Sequence, residues 1–131
     1  MVKLKQNIKG SDYCLGVVNV DEEAKMLPCG GAKIMKWRMD RQGRLFSRKF
    51  PKHCLVPNFS KKNLHHLVLH HNCKTSWCFS TEGHLQPCAS RFLVRYHDYK
   101  IHLSWVKNAT GSQWEVEPFP LMKKRWKQNY V

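Results

Sequence analysis

The stretches Trp37-Arg-Met-Asp-Arg-Gln-Gly43-Arg-Leu45 and Trp77-Cys-Phe-Ser-Thr-Glu-Gly83-His-Leu85 share one spacing: Trp to Gly is six positions in both, and Gly to Leu is two. A cysteine precedes each, Cys29 in the first copy and Cys73 in the second. Beyond the Leu, the first copy reaches Cys54-Leu55-Val56 and the second reaches Arg91-Phe92-Leu93-Val94. A weaker third copy ends at Gln113-Trp114-Glu115-Val116-Glu117. Three copies in 131 residues make units of roughly 40 residues each, the kind of internal period that fixes an architecture before any local propensity does.

Working outward from these copies, the chain reads as many short strands. Leu4 to Ile8, Asp12 to Val18, Lys25 to Cys29, Met35 to Met39, Arg44 to Phe46, His53 to Val56, Leu64 to His71, Trp77 to Phe79, Phe92 to Tyr96, Ile101 to Trp105 and Gln113 to Glu117 are strand-like segments bounded by Gly, Pro, Asn or Asp. No apolar period of 3.6 residues extends over a helix-length window. Evenly spaced short strands predict an all-β barrel or sandwich, and three copies predict a barrel with threefold repetition. Trp37, Trp77 and Trp114 are expected in the core, and Leu67 and Leu69 are expected to point inward, with histidines on either side. Phe92 and Trp105 fall roughly where the third copy would place its cysteines, so an apolar contact is expected in place of a third equivalent bridge.

The length fits one domain, and a hydrophobic fraction of 42% suffices for a core. No apolar run approaches the ~18 residues of a membrane span, so no membrane insertion is expected of this chain. The first residues carry no apolar leader, which leaves a cytosolic protein or a piece of a longer secretory one. The cysteines favour the second. There are six, none in a Cys-x-x-Cys pair, which speaks against zinc-ribbon and thioredoxin-type chemistry. The intervals 14–29 and 54–73 occupy equivalent places in two copies, and reading each as a bridge leaves Cys78–Cys88 as a third. Such a framework implies an oxidising compartment, so the expected location is extracellular or lumenal. Two glycosylation sequons, at Asn58 and Asn108, agree with it.

The order Cys-Leu, then an apolar-x-Cys strand, then Trp and Gly-x-Leu resembles the ricin B-type β-trefoil lectins. More narrowly it resembles the N-terminal cysteine-rich domain of the mannose receptor family. The matching stretches are Met35 to Trp37, Arg44 to Phe46, Cys54 to Val56, Cys73, Trp77-Cys78, Phe92 to Tyr96 and Lys107 to Trp114. The resemblance covers about residues 5–118 and implies a disulfide-bridged β-trefoil of three lobes over 1–118, with 119–131 as a basic tail or linker. It also implies a non-catalytic domain. Ricin-type lobes hold sugar with an Asp after Cys-Leu, a stacking aromatic and the Gln of Gln-x-Trp. This chain has Gly16 and Val56 at the Asp position in two lobes, and Met35, Thr75 and Ser112 at the Gln position. The mannose receptor domain reads sulfated sugar with a Trp three residues before the last repeat Trp, and Gly111 stands there. The resemblance therefore implies degenerate sugar sites and transfers no binding residue.

Charge supplies the remaining expectation. Lys plus Arg is 23 against 9 acids, a formal net charge of +14. Within residues 33–52, Lys36, Arg38, Arg41, Arg44, Arg48, Lys49 and Lys52 surround a single acid, Asp40, and Lys36 and Arg38 share the strand face opposite Trp37. That density predicts a polyanion-binding surface whose affinity falls with salt, with anionic or sulfated glycan as the extracellular candidate. An acidic protein docking on the same surface is the alternative, and nucleic acid ranks behind both. Tyr96, Tyr99 and Trp126 are candidate stacking residues, and Lys123 to Lys127 reads as a basic linker. His65, His66, His70, His71 and Cys73 have metal-ligand chemistry, but the bridge claims Cys73, so no metal and no cofactor are expected. There is no Gly-rich phosphate loop, nucleophile elbow or paired carboxylate, so no catalysis is expected.

Overall fold

A computed structural model describes residues 1–58, 66–97, 100–104 and 111–117. The described residues form twelve strands, here β1 (Lys3–Ile8), β2 (Ser11–Gly16), β3 (Lys25–Pro28), β4 (Trp37–Met39), β5 (Leu45–Ser47), β6 (Cys54–Asn58), β7 (His66–His70), β8 (Trp77–Phe79), β9 (Leu85–Pro87), β10 (Leu93–His97), β11 (Lys100–Ser104) and β12 (Glu115–Glu117). Four strands make each lobe. The first strand of every lobe carries a fully buried leucine at the equivalent place: Leu4, Leu45 and Leu85 are each 0% exposed.

Six strands close into a ring. The antiparallel pairs β12–β1, β4–β5 and β8–β9 form its walls. At each junction between walls a repeat Trp donates a backbone hydrogen bond: Trp37 N–H to Val2 O (2.9 Å), Trp77 N–H to Gly43 O (2.8 Å) and Trp114 N–H to Gly83 O (2.9 Å), and at the first junction Val2 N–H also donates back to Trp37 O (2.7 Å). The hairpins β2–β3, β6–β7 and β10–β11 stand outside the ring in matching register, with Leu15 opposite Met26, Leu55 opposite Leu69 and Val94 opposite Leu103. Ring and hairpins together are the β-trefoil.

The repeat spacing has a local cause. After each of the first two Trp residues the chain turns tightly, and Gly43 and Gly83 take φ of 82° and 87°, which glycine adopts without steric cost. Asp40 Oδ1 accepts hydrogen bonds from the backbone N–H of Gln42 and Arg44 (2.9 Å each), while Ser80 Oγ accepts from His84 N–H (3.0 Å). The turn sends Leu45 and Leu85 back into the ring. Each Trp then ties its own lobe together: the indole N–H donates to Leu15 O (3.1 Å), Leu55 O (2.9 Å) and Val94 O (2.8 Å) in the three lobes. A buried indole needs that acceptor, since an unpaired N–H there would be costly.

Disulfides join Cys14 to Cys29, Cys54 to Cys73 and Cys78 to Cys88, with Cα separations of 5.0, 5.7 and 5.0 Å. The first two staple the outer hairpins of lobes one and two. In lobe three the residue at the register of Cys14 and Cys54 is Leu93, 2% exposed. The expectation for Phe92 is thus corrected by one position: Phe92 is half-buried and packs against the core from its edge. Trp105 lies outside the described residues. Replacing Cys54 and Cys73 together by alanine is expected to cost about 2–4 kcal/mol, because the bridge constrains a 19-residue separation in the unfolded chain; urea unfolding of the double variant measures it.

Several boundaries differ from the sequence reading. Met35 belongs to a short 3₁₀ turn, Lys33–Met35, rather than to the strand that holds Trp37. Strand β9 carries Pro87 and is only 3 residues long, which hid it among the turn signals around Gly83. Met35 is nonetheless buried, at 4% exposure, so the alternation Met35, Trp37, Met39 marks inward positions correctly across the change of backbone.

Candidate functional site

The basic cluster of residues 33–52 is built on the β4–β5 hairpin. Trp37 and Met39 point into the ring, as do Leu45 and Ser47 on the partner strand. Pleating therefore turns Lys36, Arg38, Arg44, Phe46 and Arg48 outward. They meet in cross-strand rows: Arg38 lies opposite Phe46, Arg48 N–H donates to Lys36 O (2.9 Å), and Asp40 N–H donates to Arg44 O (3.0 Å). Along either strand successive outward residues stand about 7 Å apart, so the face is a ladder of cations.

Phe46 orders the middle of this ladder. The Arg38 guanidinium carbon sits 4.6 Å from the Phe46 ring centroid and that of Arg44 sits 5.6 Å from it. Arg44 is also held by Asp40, Nε to Oδ2 at 2.6 Å. Arg38, Arg48 and Lys36 make no ion pair with a carboxylate among the described residues. Lys3 reaches the same face from β1, lining a shallow cleft of about 390 Å³ with Lys36 and Arg48, bordered by Glu117. The remaining predicted cations stand apart from the ladder. Arg41 is exposed at the hairpin tip and Lys52 in the connection to β6. Lys49 donates to Val18 O at 3.5 Å and lies 5.3 Å from the Phe50 ring centroid. Sequence reasoning missed Lys3, which arrives by the Val2–Trp37 bridge, and Phe46, whose alternation with buried Leu45 and Ser47 was the available signal.

Asp40 is the acid inside this cationic field. Burial pushes its carboxyl up, but hydrogen bonds from the Arg44 backbone and side chain, the Arg44 charge and the Gln42 N–H outweigh burial and hold it below its ordinary value. A carboxyl with a lower pKa folded than unfolded contributes stability that is complete above the unfolded value and is lost as pH falls through the folded one. Asp40→Asn is accordingly expected to cost about 1 kcal/mol near neutral pH and to flatten the decline of the urea midpoint below about pH 4, since the variant has no proton to take up there.

The positions that carry sugar in ricin-type lobes are occupied as follows. A Cβ on Gly16 would lie 3.0 Å from Ile34 O, so the backbone itself crowds the place of the Asp in lobe one. Val56 is half-buried in lobe two, and the equivalent residue in lobe three is Arg95, with Nη2 3.3 Å from His97 Nδ1. Met35 is buried, Ser112 is 0% exposed, and Thr75 lines a groove of about 540 Å³ with Pro57, Lys74 and Pro87. Tyr96 is half-buried against the core, so it offers less of its ring for stacking than the sequence suggested. Asn58 ends β6, opposite His66; the rest of its sequon, and all of Asn108 to Thr110, lie outside the described residues. So do His65, Tyr99, Trp126 and the expected tail 119–131. His66 Nδ1 meets Glu23 Oε1 at 2.6 Å, His70 and His71 stack on each other at 4.4 Å, and Cys73 is in its disulfide. Among the described residues no three His, Cys, Asp or Glu come together as a metal site. No helix among them is long and apolar enough to cross a membrane.

No family model matches the chain, and no curated protein does. Solved structures do. A non-toxic homologue of type II RIPs from Momordica charantia (bitter gourd), in complex with α-methyl-D-galactoside, is similar with a TM-score of 0.74 at 15% identity. The match covers 88% of this chain and 47% of that one, so the present chain spans about half its length. The β-trefoil lectin of the Vibrio vulnificus hemolysin/cytolysin, with N-acetyl-D-lactosamine bound, is similar with a TM-score of 0.67 at 18% identity, over 88% of this chain and 91% of that one. At these identities the likeness is one of fold, and the fold they share with this chain is the β-trefoil of the lectins.

Proposed function

We propose that this protein is a non-catalytic, lectin-like binding module, extracellular or lumenal, that engages anionic or sulfated glycan through the outward face of the β4–β5 hairpin. The observation that carries the proposal is the convergence of Lys36, Arg38, Arg44 and Arg48 on one strand-pair face, joined by Lys3 from β1. Arg and Lys there would hold sulfate or carboxylate groups by charge-assisted hydrogen bonds. The ordinary lobe sites are read as degenerate: backbone crowding at Gly16, a cation at Arg95 and buried Met35 and Ser112 all support that. The narrower likeness to the cysteine-rich domain of the mannose receptor family is kept as a statement of setting, a disulfide-framed domain within a larger receptor. It does not specify a site. Residues 1–118 are taken as this domain and 119–131 as its basic extension.

The test is retention on immobilised heparin. Lys36→Glu with Arg48→Glu is expected to lower affinity by about tenfold or more and to elute at lower salt. A charge-matched control, Lys74→Glu with Lys100→Glu, changes net charge equally at exposed positions off the face and is expected to leave most of the retention. Equal loss in both variants would reduce the effect to net charge and remove the site.

A second reading, an acidic protein as the partner on the same face, is favoured by one feature. Arginines packed on an exposed-edge aromatic, as Arg38 and Arg44 are on Phe46, have the composition of protein-interface anchors. Saturable binding to one protein, indifferent to excess heparin, would select it.

A further inference from the structure

The cations of the β4–β5 face are not spread evenly along it. In the row nearest the hairpin turn, Arg44 is engaged by Asp40, Nε to Oδ2 at 2.6 Å. In the middle row Arg38 lies over Phe46. The last row sets Lys36 beside Arg48, and Lys3 joins them from β1 across the seam of the ring, around the cleft of about 390 Å³ that Met1 and Glu117 also line. Positive charge without a carboxylate partner therefore collects at one end of the hairpin. A sulfated polymer lying along the strands would be matched by an even row of cations; a cluster at one end matches a single compact group of higher charge. We propose that the Lys3–Lys36–Arg48 cleft seats one phosphomonoester group carried on a glycan. This rests on the reading of the hairpin face as a glycan-binding anion site, and it names the charged group at the centre of that site.

Neighbouring lysines on β1 show the difference. Lys5 has carboxylates on three sides, its Nζ 3.6 Å from Asp12, 3.7 Å from Glu115 and 3.6 Å from Glu117. Lys3, on the same strand face, stands opposite Glu117 in register, yet that carboxylate reaches Lys5 and no carboxylate among the described residues pairs with Lys3. Lys3 and Lys36 are half-buried, so their ammonium groups have given up part of their water without gaining an ion pair, and Arg48 is exposed beside them. Three cations against Glu117 leave the cleft with an excess of two positive charges. A phosphomonoester carries about −1.5 to −2 at neutral pH and offers three strong acceptor oxygens, whereas a sulfate ester is singly charged. The Arg48 fork can take two of those oxygens and the two ammonium groups the third. The site is built on the walls of the ring and not on the outer hairpins that carry Gly16, Val56 and Arg95, so it is separate from the positions that hold sugar in ricin-type lobes.

The proposal is tested by titrating the isotopically labelled whole protein with glucose-6-phosphate, glucose-6-sulfate and glucose, at fixed physiological ionic strength, and following the amide resonances. Glucose-6-phosphate is expected to shift Lys3, Lys36 and Arg48 saturably with a Kd below about 1 mM, the sulfate ester to bind about fivefold more weakly, and glucose not to bind. Lowering the pH from about 7.5 to about 5.5 takes the phosphate through its second pKa near 6 and is expected to weaken its binding about threefold relative to the sulfate ester. Titration of Glu117 or of the Met1 amine acts on both esters alike, so the sulfate ester calibrates it. Lys36→Gln with Arg48→Gln is expected to weaken glucose-6-phosphate by about tenfold or more, while Lys74→Gln with Lys100→Gln, exposed cations off the face, stays within about twofold. Equal affinity for the two esters, an equal loss in the control variant, or no saturation by glucose-6-phosphate up to about 10 mM would each overturn the proposal. So would equal binding of inorganic phosphate, which would make this a free-phosphate site, or of a blocked phosphoserine peptide, which would make the partner a protein. Heparin retention is read separately. If it persists and depends on Lys36 and Arg48 while glucose-6-phosphate fails, the anionic face stands and the phosphomonoester falls; if glucose-6-phosphate binds as expected and heparin is not retained, the polyanion reading falls and the cleft stands.

Discussion

Gly111→Ala is expected to lower the free energy of unfolding by about 3–5 kcal/mol, or to prevent recovery of folded protein. Gly111 has φ of +84°, and a Cβ built on it would collide with the carbonyl oxygen of Tyr96. That oxygen belongs to β10 and cannot swing aside like the end of a flexible side chain. Gly111 also accepts two hydrogen bonds at its own carbonyl, from Gln6 Nε2 (2.6 Å) and Tyr96 N–H (2.9 Å), so moving its backbone breaks contacts to lobe one and to β10 together. Gly10 provides the comparison. Its φ is +86° but nothing lies within 4 Å of its Cβ, so Gly10→Ala carries only the conformational part, about 1–2 kcal/mol. Chemical denaturation of both variants separates strain from collision; similar losses would show that the close approach to Tyr96 relaxes. The same geometry explains why no tryptophan stands at this place: a side chain of any size is excluded.

Trp77→Ala is expected to cost about 3–5 kcal/mol, the range for deleting a fully buried large aromatic. Trp77 is 0% exposed, donates through its indole to Leu55 O at 2.9 Å, and through its backbone closes the ring at Gly43 O. Trp77→Phe removes the indole donor together with only part of the ring. It keeps most of the apolar volume but leaves Leu55 O without the indole donor, for an expected loss of about 1–3 kcal/mol, much of it packing. If Trp77→Phe matched Trp77→Ala, the hydrogen bond rather than the filled volume would be the dominant contribution, against the usual balance.

The fold was legible in the sequence because its repeated device is local. A buried Trp, a turn and a Gly at positive φ lie within seven residues, so Trp37 to Gly43 and Trp77 to Gly83 show their equivalence directly. The cysteine intervals were legible for the same reason, since each bridge closes a short stretch. Less legible was what depends on register between distant strands. The third copy lacks a Gly-x-Leu after its Trp because Val2-Lys3-Leu4, at the other end of the described chain, takes that place in the ring. Lys3 joins the basic cleft through that same closure, and no feature near residue 36 announces it. The ladder itself was half visible: Lys36 and Arg38 follow from alternation around Trp37, but the packing of Arg38 and Arg44 on Phe46 needs the pairing of β4 with β5.

The ring closes where β1 meets β12, with Lys3 opposite Glu117 and Leu4 opposite Val116, and the Gln6–Gly111 hydrogen bond spans 105 positions. The three disulfides all close short stretches, of 15, 19 and 10 positions, and none crosses that seam. The covalent staples and the ring closure therefore belong to different stages of the protein's synthesis. Oxidation of Cys14 and Cys29 requires only the first lobe to have emerged, whereas Leu4 has no cross-strand partner in the ring until Val116 has been made. A nascent chain halted within lobe three would hold correct disulfides around an open barrel, with one bare strand at its leading edge. Such a species would pass a test for free thiols while offering that edge to a neighbouring chain.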